Sequence, residues 1–303
     1  PTTIQVEIPH WKDQASKHTQ KRHRDTDVRI LGPFPIPALD RDREIVVYLP
    51  PNYEAEPDRR FPVLYMWDGQ NLMNPETAFN QEWEVDATCE RLIKAGKIQP
   101  MIVVGIYNGG EHRLSELSPW RDMRLNARGE GHAFMRWVVG WLKSYIDTEF
   151  RTLTGPEHTG VAGSSMGGLA SMYALYRYPL IFGRAVVMSP AFWFARSQIF
   201  RYVASRPRPE GAKVYMDCGE RETARVHPKR DFYKMAASMV DLMVQQGFKE
   251  HQDLKWVSDP RGTHSEGAWA RRLGPALEFL FPADGKPLPA GKPAASKPTT
   301  PVF

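Results

Sequence analysis

The sequence is poor in cysteine and has no long apolar run, and both absences narrow the class of protein. Its 303 residues include two cysteines, Cys89 and Cys218, too few for the disulfide framework of a small secreted domain. We interpret them as free buried thiols, which favours a reducing, cytoplasmic compartment. No apolar segment approaches the length of a membrane span, and the N-terminus lacks a basic segment followed by an apolar one. We therefore expect no membrane partner; because the chain begins at Pro1, a signal peptide already removed is the alternative to a cytoplasmic location.

The excess of positive charge lies at the two ends of the chain rather than in its middle. The formal net charge is +5. Residues 1–24 hold five basic and two acidic side chains, and residues 283–303 hold three basic and one acidic, so residues 25–282 carry no net charge. A nucleic-acid-binding protein shows a basic stripe on its folded body. We expect no nucleic-acid partner.

The common signatures of metal and nucleotide sites are also missing. The sequence contains neither H-E-x-x-H nor G-x-G-x-x-G. His264 and Glu266 match the H-x-E of zinc deaminases, but the P-C-x-x-C that completes that site is absent. Gly168 is followed by leucine, whereas a phosphate-binding loop needs Gly-Lys-Ser/Thr there. We expect no metal site and no cofactor.

One stretch carries a strong chemical signal. Residues 163–167 read Gly-Ser-Ser-Met-Gly and fit G-x-S-x-G, the sharp strand-to-helix turn that lifts a nucleophilic serine above the end of a sheet. Glycines two before and two after the serine leave room for so tight a turn. Ser165 has both glycines, whereas Ser164 has Ala162 in place of the first. The pattern predicts Ser165 as the nucleophile, the alternative being a glycine-rich turn with an idle serine.

Short apolar runs alternate with helix-like segments along most of the chain. This alternation predicts an α/β fold with a mostly parallel sheet and helices on both faces. We predict a polar N-terminal arm over residues 1–28, one domain over 29–282, and a disordered Pro- and Lys-rich tail over 283–303. The predicted strands are 44–50, 61–67, 101–107, 158–163, 184–188, 213–217 and 253–257, and the predicted helices are 84–97, 130–147, 169–176, 229–246 and 266–280.

A serine nucleophile needs a base and an acid, and in this type of fold both follow it in the chain. Of the three later histidines, His264 alone follows the last predicted strand, while His251 precedes that strand and His227 lies in a charged segment. We predict His264 as the base, with a structural histidine as the alternative.

The acid should follow the preceding strand, where three carboxylates stand close together. Asp217, Glu220 and Glu222 are the candidates, and spacing alone does not choose among them. The alternative is that these carboxylates form ion pairs with nearby basic residues on the surface. Backbone N–H groups must stabilise the oxyanion of the intermediate, and we predict those of Met166, directly after the nucleophile, and Gln70, in the turn after an early strand.

Over residues 28–282 the chain resembles an esterase family of α/β-hydrolases that includes S-formylglutathione hydrolase, feruloyl esterases, enterochelin esterases and mycolyltransferases. The matching segments are 47–53 (VYLPPNY), 64–71 (LYMWDGQN), 102–106 (IVVGI), 113–119 (RLSELSP), 163–168 (GSSMGG) and 189–190 (SP). The resemblance implies an α/β-hydrolase fold without a separate lid domain. It also implies Ser165 as nucleophile, His264 as base, and Gln70 and Met166 as oxyanion donors.

The same resemblance chooses among the acids and suggests the rim of the cleft. Relatives place their acid three residues after the glycine that ends this strand, here Gly219, which implies Glu222, although many relatives have aspartate there. The segments 113–119 and 192–194 would border the cleft. We take Arg113, Trp120 and Trp193 as candidates for substrate binding, with packing as the alternative for the aromatic side chains.

Together these features predict a serine carboxylesterase that hydrolyses a small-molecule or sugar ester through a Ser-His-Glu triad. An acyltransferase using the same triad with an alcohol or sugar acceptor is one alternative. A non-catalytic binding protein on a hydrolase scaffold is the other. The acyl group and the alcohol of the substrate stay open.

Overall fold

The computed structural model describes residues 26–222 and 231–283, and an eight-stranded sheet runs through its centre. The strands are β1 (Asp27–Ile36), β2 (Arg41–Leu49), β3 (Val63–Trp67), β4 (Ile102–Ile106), β5 (Thr159–Ser164), β6 (Arg184–Met188), β7 (Lys213–Gly219) and β8 (Leu254–Asp259). Their order is β1-β2-β4-β3-β5-β6-β7-β8. β1 pairs antiparallel with β2, and β2 pairs antiparallel with β4. All other pairs are parallel, which confirms the predicted, mostly parallel sheet.

Helices connect the parallel strands. They are α1 (Val85–Lys94), α2 (Arg113–Glu116), α3 (Gly131–Trp137), α4 (Lys143–Glu149), α5 (Met166–Arg177), α6 (Phe194–Ala204), α7 (Phe232–Gln245) and α8 (Glu266–Leu280). A π-helical turn, Val138–Leu142, joins α3 to α4. The helix predicted over residues 130–147 is therefore one helical segment with a wider turn in its middle.

The core lies on both faces of the sheet because alternate residues of each strand point to opposite sides. On β2, Ile45 and Val47 join the apolar cluster on one face, whereas Val46 and Tyr48 join the cluster on the other. The first cluster receives residues of α3 to α7, and the second receives residues of α1 and α8. Both faces of the sheet are therefore covered by helices, as predicted.

Strand β1 and helices α2 and α6 were not predicted from the sequence. β1 contains Gly32, Pro33 and Pro35, which are rare inside strands. It lies at the edge of the sheet, where a missing N–H donor is tolerated, and its register shifts between Leu31 and Phe34. Helix α6 lies within the connection between β6 and β7.

The ends of the chain bear on the domain boundaries. Residues 1–25 of the predicted arm and residues 284–303 of the predicted tail lie outside the described residues, as does His227. β1 begins at Asp27, so the arm predicted to reach residue 28 overlaps two strand residues. In residues 26–222 and 231–283 there is no separate lid domain. None of the helices described here is long and apolar enough to cross a membrane.

Candidate active site

The turn between β5 and α5 has the geometry that the glycine pattern predicts. Ser165 occupies it with φ 56° and ψ −117°, a strained conformation typical of functional positions. A Cβ on Gly163 would lie 2.8 Å from Cδ1 of Trp67 and 2.9 Å from Cα of Gly167. Gly163 therefore leaves no room for a side chain, whereas a Cβ on Gly167 would make a tight contact of 3.3 Å with Trp67.

His264 lies beside this serine. It occupies the loop between β8 and α8, and its Nε2 is 3.0 Å from Oγ of Ser165. The imidazole is held between two aromatic rings. The ring of Phe232 is centred 4.2 Å away, and Trp269 approaches edge-on at 4.9 Å. These contacts limit how the imidazole can rotate.

Glu222 completes the row of side chains. Its Oε2 is 2.9 Å from Nδ1 of His264. Its Oε1 accepts hydrogen bonds from the Ser189 hydroxyl at 2.6 Å and from the Gly219 N–H at 2.8 Å. Burial by itself would raise the pKa of this carboxyl, but the hydrogen bonds from His264, Ser189 and Gly219 outweigh it and lower the pKa. The carboxylate is therefore ionised at neutral pH.

The two other candidate acids lie in different surroundings. Glu220 accepts a hydrogen bond from the Ser258 hydroxyl at 2.5 Å, at the exposed surface. Asp217 still belongs to β7 and is fully buried, with one oxygen 3.3 Å from Nη2 of Arg272. Burial raises the pKa of Asp217 to about 7, and the Glu222 charge adds to this rise while Arg272 opposes it. Of the three carboxylates, Glu222 is the one brought against His264.

Backbone hydrogen bonds tie the loop of Glu222 to the loop of His264. The N–H of Glu220 donates to the carbonyl of Asp259 at 2.9 Å, and the N–H of Arg221 donates to the carbonyl of Gly262 at 3.1 Å. Both loops follow neighbouring parallel strands, β7 and β8, so they leave the sheet at the same edge. Their mutual bonding fixes the distance between the two side chains.

The two predicted oxyanion donors also lie at this edge. Gln70 is in a short 3₁₀ turn, Gly69–Asn71, directly after β3, and Met166 is the first residue of α5 after β5. β3 and β5 are neighbours. First residues of helical turns have N–H groups without intrahelical acceptors. Such N–H groups are available to an oxyanion.

Contacts with Gly105 and Arg113 hold the turn that carries Gln70 in place. A Cβ on Gly69 would lie 2.6 Å from the backbone of Gly105. Asp68, with φ 59°, is clamped by Arg113, whose Nε and Nη2 donate to its two carboxylate oxygens at 2.6 and 2.7 Å. Burial would raise the pKa of Asp68, but the charge and hydrogen bonds of Arg113 lower it. Arg113, predicted to bind substrate, thus has a partner within the protein.

Comparison with known proteins identifies the family and the fold of the chain. The sequence profile of the family described as "Putative esterase" matches residues 36–280. The chain belongs to this esterase family. It is a serine esterase, a hydrolase acting on esters, with the α/β-hydrolase fold.

Individual relatives share about a quarter or less of their sequence with this chain. The uncharacterized protein YbbA of Bacillus subtilis (strain 168) is 26% identical over 251 residues, which are 79% of this chain and 93% of YbbA. An endo-1,4-beta-xylanase/feruloyl esterase of Xylanibacter ruminicola is 26% identical over 217 residues, 69% of this chain but 27% of that longer protein. Among solved structures, a ferulic acid esterase superposes with a TM-score of 0.66 at 19% identity, over 84% of this chain and 98% of that one.

The two tryptophans predicted to bind substrate in this esterase lie in different aromatic groups. Trp193 is half-buried and meets Phe232 edge-on at 6.1 Å, so one ring separates it from His264. Trp120 packs edge-on against Tyr173 and Tyr202, at 5.9 and 5.6 Å. Their roles in substrate binding stay predictions.

Sequence reasoning missed four side chains that surround the triad candidates of the esterase. Ser189 bonds to Glu222, and Trp269 and Arg272 bond to Ser189. Phe232 packs on His264. Ser189 stands in the Ser-Pro pair that marks the family resemblance, directly after β6, and this position was a usable signal. Phe232 is the first residue of α7, and Trp269 and Arg272 lie in the first two turns of α8, where nothing in the local sequence distinguishes them.

The described part of the esterase offers no arrangement suited to a metal. Among residues 26–222 and 231–283, no group of three or more His, Cys, Asp or Glu side chains is placed to hold an ion. Both cysteines are buried and unpaired with each other. Burial raises the pKa of both thiols, so they are protonated at neutral pH.

Proposed function

We propose that the protein is a serine carboxylesterase that hydrolyses its substrate through an acyl-enzyme, with Ser165, His264 and Glu222 as the triad. The observation that carries the proposal is the continuous row of contacts at 3.0 and 2.9 Å through the two ring nitrogens of His264. Nucleophile, base and acid must stand in this order for a serine hydroxyl to be activated.

The first half of the reaction forms the acyl-enzyme. Ser165 Oγ attacks the ester carbonyl while Nε2 of His264 takes its proton. Glu222 holds the other ring nitrogen and stabilises the imidazolium that forms. The N–H groups of Gln70 and Met166 donate to the oxyanion. The intermediate collapses when His264 returns the proton to the leaving alcohol.

The second half releases the acid. Water attacks the acyl-enzyme, and His264 again takes and returns a proton, so the free acid leaves and Ser165 regains its hydroxyl. The substrate class we propose is a small-molecule or sugar ester. Because a relative and a solved structure are named for feruloyl or ferulic acid ester cleavage, feruloyl esters are the first acyl group to try.

The test is hydrolysis of nitrophenyl esters, acetyl to decanoyl, and of a feruloyl ester by matched variants. We expect Ser165→Ala to lose activity and Ser164→Ala, a change in the neighbouring buried serine, to keep it. Glu222→Gln should lower kcat by about 100- to 10,000-fold, as for other triad acids, while Glu220→Gln stays within about two-fold of wild type. Near wild-type hydrolysis by Ser165→Ala would refute the proposal.

Two further measurements address the alternatives. A serine-directed fluorophosphonate should label wild type but not Ser165→Ala, and failure to label folded wild type would favour a non-catalytic binding protein. Products formed with and without an added sugar or alcohol distinguish hydrolysis from transfer. An acylated acceptor dominating over free acid would replace the hydrolase assignment with acyltransferase.

A further inference from the structure

Ser189 lies at an unusual position behind the candidate acid. It directly follows β6, is fully buried, and has φ 42°, a left-handed conformation that is uncommon for serine. Its N–H donates to the carbonyl of Asp217 at 2.8 Å. The backbone is therefore held in a costly conformation that directs the side chain towards Glu222.

Three polar side chains surround the Ser189 hydroxyl. Nε1 of Trp269 lies 2.9 Å from its Oγ, Nη2 of Arg272 lies 2.8 Å away, and Oε1 of Glu222 lies 2.6 Å away. All three groups are buried in the protein, so water does not compete with these contacts on equal terms.

The donor and acceptor properties of these groups leave one arrangement. A serine hydroxyl has two lone pairs and one proton, whereas an indole N–H and a guanidinium can only donate. Trp269 and Arg272 therefore use both lone pairs of Ser189. Its single proton must point to Glu222, and the short contact of 2.6 Å is the length expected of a hydroxyl bonded to a carboxylate.

We propose that Ser189 is a positioning residue for the triad acid, and that Trp269 and Arg272 fix its hydroxyl as a permanent hydrogen-bond donor to Glu222. This inference rests on the triad proposed above. Ser189 and the Gly219 N–H together occupy Oε1, which leaves Oε2 directed at His264. Ser189 thus acts through Glu222 on the orientation of the base.

The neighbouring charges are compatible with this role. The charged groups that face Ser189 and Glu222 are Asp217 on β7, Asp259 at the end of β8, His264 in the loop after β8, and Arg272 on α8. Nη2 of Arg272 is 3.4 Å from Oε1 of Glu222, beyond a good hydrogen bond, but 2.8 Å from Ser189 Oγ. Arg272 therefore bonds directly to the serine hydroxyl and forms a longer ion pair with the acid.

The experiment compares Ser189→Ala and Trp269→Phe with wild type in kcat, KM and the pH dependence of kcat. Ser189→Ala keeps the Cβ and removes only the hydroxyl. We expect kcat to fall by about 10- to 100-fold with KM within about three-fold, the range for one lost hydrogen bond to a charged group. The acid limb of the pH profile should move to higher pH, because Glu222 loses a donor that favours its ionised form.

Trp269→Phe tests the second half of the inference. It keeps a ring edge beside His264 but frees one lone pair of Ser189, so the hydroxyl is no longer forced towards Glu222. We expect a smaller fall in kcat, about two- to ten-fold, with the same direction of change in the pH profile. If this variant has the same kcat and pH profile as wild type, the hydrogen bond from Trp269 is not needed to direct the Ser189 hydroxyl towards Glu222.

Thr152→Val is the matched control. Its buried hydroxyl also donates to a carboxylate, that of Asp147 at 2.7 Å, but near the start of β3 rather than at the site. It should lower the unfolding temperature without altering kcat per folded molecule. Suppose that Ser189→Ala also lowers the unfolding temperature without altering kcat, while Ser165→Ala is inactive. The role of Ser189 is then structural, so this inference is wrong while the proposed triad stands. If Ser165→Ala is active, the triad itself fails.

Discussion

Arg113 and Asp68 form a two-point ion pair beneath the turn that carries one predicted oxyanion donor. Nε and Nη2 of the guanidinium lie 2.6 and 2.7 Å from the two carboxylate oxygens. Asp68 also accepts from Nδ2 of Asn108 at 2.7 Å. Because Asp68 is the residue before Gly69 and Gln70, the pair fixes the direction in which the Gln70 N–H points.

We therefore predict that Arg113→Met lowers kcat by about ten-fold for every ester in a panel, less than the loss of an oxyanion donor itself. KM should change little, because the variant loosens the turn rather than removing a contact to substrate. Arg113→Lys keeps the charge but not the two-point geometry, and should show an intermediate loss. An increase in KM confined to certain esters, with kcat retained, would instead support the substrate-binding role predicted from the sequence.

The raised pKa of Asp217 predicts that the stability of the protein depends on pH. Burial raises this pKa from the usual value of about 4 to about 7, so the folded state binds its proton more tightly than the unfolded state does. The stability linked to this proton is fully present below about pH 4 and is lost as the pH rises through about 7. Asp217→Asn cannot ionise and should not show this loss.

The measurement is the free energy of unfolding by urea between pH 4 and 8 for both proteins. Relative to wild type, Asp217→Asn should gain on the order of 2–4 kcal/mol across this range, since one pKa unit corresponds to about 1.4 kcal/mol. Asp68 and Glu222 have lowered pKa values and act in the opposite direction, but they are common to both proteins and cancel. A difference that does not vary with pH would show that Asp217 is ionised throughout.

Much of the sheet and the turn that carries Ser165 could be predicted because local sequence patterns determine these features. A buried parallel strand is a short apolar run, and an elbow needs glycines at fixed positions. The local sequence pattern does not determine which carboxylate faces His264. Glu220 and Glu222 differ by two positions, and the resemblance rather than the spacing favoured Glu222; in the structure Glu222 is the one turned inwards.

The support around the triad candidates could not be predicted for the same reason. Trp269 and Arg272 reach Ser189 from 80 and 83 positions away in the chain. Contacts between such distant positions produce no periodic pattern in the sequence. Arg113 shows a second limit of local patterns. A charged side chain in a long loop is typical of binding sites, but here it has a buried structural partner that only the fold reveals.

The packing of Phe232 on His264, and of Trp193 on Phe232, predicts that these aromatic rings affect activity. The Phe232 ring lies 4.2 Å from the imidazole of His264, and Trp193 meets Phe232 edge-on. Phe232→Ala should lower kcat by about ten-fold or more, because the imidazole gains freedom to rotate away from Ser165, whereas Phe232→Leu should retain most activity. Trp193→Ala distinguishes two roles. A fall in kcat for all esters indicates support of Phe232, and a rise in KM for bulky or aromatic esters indicates substrate binding.

Gly163 offers a direct test of the elbow. An added Cβ would lie 2.8 Å from Trp67, which is buried at the end of β3, and 2.9 Å from the backbone of Gly167 in the first turn of α5. Gly163→Ala should destabilise the fold by about 1–3 kcal/mol, as overpacking does, and should lower kcat by displacing Ser165. Gly274→Ala in α8 is the control, because its nearest neighbours are 3.7 and 3.8 Å away. That change should leave kcat unaltered and stabilise the helix by up to about 1 kcal/mol. Urea unfolding measures both effects, and a Gly163→Ala protein as stable and active as wild type would mean that the turn has room that the structure does not show.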